Sequence, residues 1–229
     1  MGRSLETDEW DKLIQNLIKQ SILHSPKIIE TMRKVSRGKF LPENMRYYSA
    51  VDTPLPIGFG QTASAPHMVA IMNEALQLEI GNKVLEVGAG SGWHAATIAE
   101  LIAPQTAPRS EWGHVYTVEI VQGLAEFARK NIMNGGFGDR VTIMHADGSS
   151  GYPEKAPYDR ILVTAGAPEV PKPLLEQLKP QGIMLIPVGS LSLFQSLFRI
   201  TKTSEGKTRE ENLGGVAFVP LTGKYGHRT

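Results

Sequence analysis

Residues 83–92, KVLEVGAGSG, set the tightest limit on the fold. A short strand with two valines runs into glycines at alternate positions 88, 90 and 92, and a helical pattern begins near Trp93. Glycine serves where a backbone turns sharply or meets a ligand closely, and the helix start beyond it offers unpaired N–H groups. The same order of strand then helix repeats downstream. Strands are expected over Lys83–Val87, His114–Glu119, Val141–His145, Asp159–Thr164 and Gly182–Val188, with helices over Ala95–Ile102, Gln122–Asn131 and Pro171–Leu178. This is the βα alternation of a doubly wound, mostly parallel sheet.

Upstream, Trp10, Leu13, Ile14, Leu17, Ile18 and Ile22 recur at helical spacing, and a second helical pattern spans Lys27 to Val35, which predicts an N-terminal helical extension. Prolines and glycines between Phe40 and Pro66 break any period, so an ordered loop or short strands are expected, and a helix runs from Pro66 to a stop at Gly81. In the tail, Leu193–Ile200 and Gly215–Val219 read as late, partly antiparallel strands joined by a solvated connection over Lys202–Asn212. One domain over 1–229 accounts for the chain: helices and loop over 1–80, a βα core over 81–190 and closing strands over 191–229.

What the glycine turn holds depends on its flanks. A dinucleotide fingerprint needs a small residue at position 93 for close helix–strand packing, and that position is Trp93. Glu86 precedes the glycines, and a carboxylate there suits the positive groups of S-adenosylmethionine better than a pyrophosphate. The alternative is a tight turn without ligand. Gly88, Ala89 and Gly90 are the backbone expected against the cofactor. Glu119 ends the second strand, where a carboxylate accepts the ribose hydroxyls, although a solvated strand end has the same appearance. Asp147–Gly148 follows the third strand and suits an adenine amino group, while Asp–Gly is also a common plain turn. Three acids at three successive strand ends point to the Rossmann-like fold of class I S-adenosylmethionine-dependent methyltransferases.

Composition removes other chemistries. The chain has no cysteine, so disulfides, thiolate nucleophiles and cysteine metal sites are excluded, and no metal is expected. A net charge of +1, without a block of one sign, gives no sign of a nucleic-acid or acidic-membrane partner. No signal-peptide core or membrane-length apolar run is present, so a cytoplasmic location is expected; a monomer is expected as well.

The stretch Leu55–Met68, LPIGFGQTASAPHM, narrows the reading further. With VLEVGAGSGWHAA (84–96), VYTVE (115–119), GYPEKAPYD (151–159), TAGAPEVPKPLLEQLKPQGIMLIPVG (164–189) and FVPLTG (218–223), it resembles the protein-L-isoaspartate (D-aspartate) O-methyltransferase family from Phe40 to Gly223. The resemblance implies S-adenosylmethionine-dependent methyl esterification of the free α-carboxylate of L-isoaspartyl residues in damaged proteins and peptides. The ester then closes to a succinimide, and its hydrolysis returns some normal aspartate. Ser64 is similar to the family's active-site serine, although two residues before Pro66 a helix N-cap is the plainer reading. Thr62, Ala63 and His67 are implied cofactor contacts and Thr222 a further one, with a substrate edge at Gly58, Val219 and Leu221. Trp93, Ala63, Ile120 and Gln181 stand where the family commonly has Tyr, Ile, Arg and Gly. The rival readings are a methyltransferase acting on a small molecule or RNA, an NAD-dependent oxidoreductase and a non-catalytic S-adenosylmethionine-binding protein.

Overall fold

Helices α1 (Leu5–Lys19) and α2 (Pro26–Lys34) lead through 3-10 turns at Arg37–Phe40 and Glu43–Tyr48 to a hairpin of β1 (Leu55–Gly58) and β2 (Gln61–Ala63), then to helix α3 (Pro66–Leu76). The core follows as β3 (Lys83–Val87), α4 (Trp93–Ile102), β4 (His114–Glu119), α5 (Gln122–Asn134), β5 (Val141–His145), β6 (Tyr158–Val163), α6 (Lys172–Gln177) and β7 (Leu178–Val188). Strands β8 (Gln195–Lys202) and β9 (Thr208–Val216) close the chain. The computed structural model describes residues 5–190 and 195–227, with side chains from residue 8 onward.

The main sheet has the order β5-β4-β3-β6-β7-β8-β9, parallel from β5 to β7 and antiparallel at β8 and β9. The chain winds outward from β3 through β4 to β5 and then returns to place β6 on the other side of β3. That reversal puts the topological switch point at the glycine turn, where open α/β sheets bind ligands. Successive residues alternate faces. Val84, Leu162 and Leu185 pack with the N-terminal helices and α3 to α5, whereas Leu85, Val87, Ile161, Val163 and Met184 face α6 and Leu221.

Trp93 gains its explanation from the helical extension. Its Nε1–H donates to the Val35 carbonyl at 2.8 Å, and Trp10 Nε1–H donates to Met32 O at 2.8 Å. The two indoles meet edge to face with centroids 5.9 Å apart. Position 93 is therefore an anchor for α1 and α2, which a small residue there cannot provide.

Three expectations need correction. Thr208–Val216, placed mostly in the solvated connection, is an edge strand paired antiparallel with β8. Both of its faces meet solvent over Thr208–Asn212, so charged residues replace the apolar alternation that marks a half-buried strand. Only Gly215 and Val216 of the expected Gly215–Val219 strand belong to β9. The chain then runs beside Gly166, whose N–H donates to Val219 O at 2.8 Å and whose carbonyl accepts Leu221 N–H at 2.8 Å. β7 begins at Leu178, four residues before the expected start, and its register shifts around Gln181, which takes φ +63° where the family commonly has glycine. Of the expected Leu193–Ile200 strand, residues 193 and 194 lie outside the described residues.

Glu86 is the one charged residue in the buried run of β3. It accepts a hydrogen bond from Thr117 Oγ1 at 2.6 Å, and its Oε1 has no partner among the described residues. Burial pushes its carboxyl up to about 8, with the Thr117 bond acting the other way and Glu119 adding to the rise. A carboxyl raised above its unfolded value of 4.5 contributes stability that is full below pH 4.5 and lost as pH rises through about 8. Glu86→Gln mimics the protonated acid, so its melting temperature relative to the wild type should rise steadily between pH 5 and pH 9, while a constant difference would remove the buried-acid account. Separately, Trp10→Ala should lower the denaturant-derived unfolding free energy by about 3–5 kcal/mol through cavity formation. A loss below about 1 kcal/mol would mean that the extension is not part of the cooperative core.

Candidate active site

At the carboxyl ends of β3 and β4 a cleft of about 110 Å³, open at its mouth, is lined by the glycine turn from Gly88 to Ser91, by Glu119 to Val121, by Gly148 and by Thr164. The turn is shaped for close approach. Gly88 has φ +99°, and a Cβ there would lie 2.4 Å from Thr164 Oγ1. The Thr164 hydroxyl lies 3.0 Å from Val87 O and 2.8 Å from Gly88 O, which ties the end of β6 to the turn. Glu119 braces the opposite wall, accepting Gly90 N–H on Oε2 at 2.9 Å and Val121 N–H on Oε1 at 3.0 Å. The β1–β2 hairpin arches above. Ile57 reaches toward Gly90, and the Phe59 ring lies against Gly123 at the start of α5.

A second cavity adjoins the first and shares Thr62, Ser64, Thr164 and Val219 with it. Its other walls are Pro54, His67, Met68 and the segment from Gly215 to Phe218. Ser64 therefore stands at the seam. Its Oγ has no hydrogen-bond partner among the described residues, and the N-cap of α3 is Ala65, so Ser64 is not occupied as a cap.

The loop carrying Ser64 is held by Arg37, which has no exposed surface. Its Nη1 donates to Thr53 O at 2.8 Å and Ser64 O at 3.1 Å, its Nη2 to Val51 O at 2.6 Å and Tyr48 O at 3.4 Å, and its Nε to Ser49 O at 3.1 Å. Desolvation lowers the guanidinium to about 10, opposed by the charge of Asp52, so it is a cation at neutral pH. Asp52 Oδ1 in turn accepts the backbone N–H of His67 and lies against its Nδ1, both at 2.9 Å.

Of the residues singled out in the sequence, Thr62, Ala63, Ser64, Gly88, Ala89, Gly90, Glu119, Gly148, Val219, Leu221 and Thr222 meet around the first cleft. Four do not. Glu86 points to the sheet face opposite Val87 and ends in the core, because neighbouring strand residues alternate. Asp147 is committed to the tail, accepting Ser149 N–H and its hydroxyl on Oδ1 at 2.9 and 2.6 Å and Lys224 N–H on Oδ2 at 2.8 Å. His67 lines the second cavity and not the cofactor cleft, drawn there by Asp52. Gly58 lies outside both, exposed in the hairpin with φ +92°, where it serves the turn. Arg37, Asp52 and Thr164 were not singled out. Thr164 directly follows β6 at the switch point, and its strand-end position was the available signal.

The first cleft fits S-adenosylmethionine. Glu119 is the one carboxylate lining it among the described residues and keeps lone pairs free for a ribose diol. Ile120, Val121, Leu124 and Leu221 give an apolar border for an aromatic base, and α4 starts at Gly92 without any side-chain cap, leaving N–H groups for a carboxylate. The family model for protein-L-isoaspartate (D-aspartate) O-methyltransferase matches residues 8–226. The protein-L-isoaspartate O-methyltransferase of Hyperthermus butylicus is 52% identical over 226 residues, covering 96% of this chain and 93% of the relative. That of Thermococcus sibiricus is 52% identical over 221 residues, with 96% of each chain covered. A solved Plasmodium falciparum chain, described as a protein-L-isoaspartate O-methyltransferase in complex with S-adenosyl-L-homocysteine, superposes with a TM-score of 0.81 at 29% identity over 93% of this chain and 98% of its own. The fold, the cleft and these likenesses converge: the chain belongs to the protein-L-isoaspartate (D-aspartate) O-methyltransferase family.

Proposed function

We propose that the chain esterifies the free α-carboxylate of L-isoaspartyl residues in proteins and peptides at Ser64, with S-adenosylmethionine in the first cleft and the polypeptide in the second. The observation that carries this reading is the place of Ser64, which lines both cavities and whose hydroxyl has no partner among the described residues. S-adenosylmethionine supplies, when bound, a methyl group on a sulfonium that needs neither metal nor proton to leave. The residues of the chain then have a modest task. A free α-carboxylate, with a reference pKa near ~3.5, is ionised at neutral pH, so no general base is needed. Ser64 Oγ–H orients one carboxylate oxygen, and the walls exclude water around it. Glu119, Thr62, Ala63 and Thr222 hold the cofactor side.

The polypeptide enters extended along Gly215–Val219. That segment lines the second cavity, where a chain can be held through its main chain. Recognition through main chain tolerates varied flanking side chains, as a repair enzyme requires. The ester product then cyclises without further help from the protein.

Methyl-labelled S-adenosylmethionine should label an isoaspartyl peptide and leave its normal aspartyl twin unlabelled. Ser64→Ala should lower kcat at least about tenfold while S-adenosylhomocysteine affinity, read by calorimetry, stays within about threefold. Equal labelling of the two peptides would contradict the substrate reading, and an unchanged kcat would contradict the role of Ser64.

A further inference from the structure

The displacement of His67 from the cofactor cleft to the second cavity gives it a different task. We propose that His67, oriented by Asp52, is a specificity-determining residue for the acceptor: its Nε2 accepts a hydrogen bond from the backbone N–H of the isoaspartyl residue itself. This rests on the reading of the second cavity as the polypeptide site.

Asp52 Oδ1 fixes the ring from two directions, through the His67 backbone N–H and through Nδ1, each at 2.9 Å. With the proton on Nδ1 facing the carboxylate, the lone pair is on Nε2, which has no partner among the described residues. His67 is also the one ionisable side chain lining this cavity among the described residues. It stands three positions from Ser64 on the same wall.

Arg37 acts on Asp52 electrostatically and binds the carbonyls of Val51 and Thr53 on either side of it. In the methyl transfer the carboxylate and the sulfonium both lose their charges. A cation on the carboxylate stabilises the ground state more than the transition state and slows the reaction, whereas a neutral acceptor beside it does not.

The N–H of the isoaspartyl residue is the group that distinguishes damaged from normal chain. In an isoaspartyl residue the free carboxylate and the N–H are carried by the same Cα. In a normal aspartyl residue a methylene separates the carboxylate from that Cα. Ser64 on the carboxylate and His67 on the N–H together measure this separation. A substrate whose carboxylate is one carbon further away satisfies one contact and leaves the other polar group unpaired in the cavity, which is the strong form of discrimination.

The test compares an isoaspartyl peptide with its depsipeptide, in which an ester oxygen replaces that N–H. For the wild type the ester should raise KM about fivefold to tenfold and leave kcat within about twofold. His67→Phe keeps a ring without nitrogens. It should raise KM for the amide by a similar factor, abolish the difference between amide and ester, and leave S-adenosylhomocysteine affinity unchanged. His67→Gln, which retains an acceptor, should restore part of the difference. Equal KM values for amide and ester in the wild type, or the same ratio in His67→Phe, would overturn the proposal. Should His67→Phe fail to fold, the nitrogen spectrum of the labelled wild type with peptide and S-adenosylhomocysteine decides: an unprotonated Nε2 supports the assignment and a protonated one refutes it. If the wild type methylates neither peptide, the polypeptide reading itself fails; methylation without discrimination defeats only the role of His67.

Discussion

A buried cation holds the acceptor side of this molecule together. Between Tyr48 and Ser64 much of the backbone lies outside regular structure, and carbonyls buried there would lose hydrogen bonds to water without gaining others. Arg37 donates to five of them, of which Tyr48 O and Val51 O also accept a backbone N–H. A guanidinium presents its N–H groups in a fixed planar fork, so the carbonyls it binds are fixed relative to one another. No carboxylate lies within ion-pair distance of it among the described residues. Its desolvation is offset by carbonyl dipoles, and the charge of Asp52 acts from further away.

From that point the site divides into two halves with separate supports. The cofactor half belongs to the sheet, through the switch point, the glycine turn and the Glu119 brace. The acceptor half belongs to the loop, where Arg37 fixes Ser64 through its carbonyl and flanks Asp52, which aims His67. The hairpin joins them, since Ile57 reaches over Gly90 while β2 leads straight into Ser64. The helical extension supports both, because Trp93 at the head of α4 bonds to Val35, two residues before Arg37, and lies 5.7 Å from its guanidinium.

The fold was legible because it rests on patterns of side chains. Buried parallel strands read as apolar runs, and the glycines mark where the backbone must take left-handed angles. The placements that the sequence hid share a cause as well. Glu86 and Asp147 sit at the right ends of the right strands, yet the pleat turns one into the core and the tail claims the other. β9 is polar because it is an edge, so no alternation marked it. Arg37 acts on backbone carbonyls, which every residue possesses, and its five partners therefore carry no identity in the sequence. Asp52 shares that difficulty, since its partner His67 lies fifteen positions away across a loop without period.

Amide hydrogen exchange in Arg37→Lys measures the central dependence directly, because lysine keeps the charge but not the fork. Faster exchange confined to Tyr48–Ser64, with β3 to β6 protected as in the wild type, is the predicted result. Unchanged protection in that loop, or an equal acceleration throughout the sheet, would contradict the account.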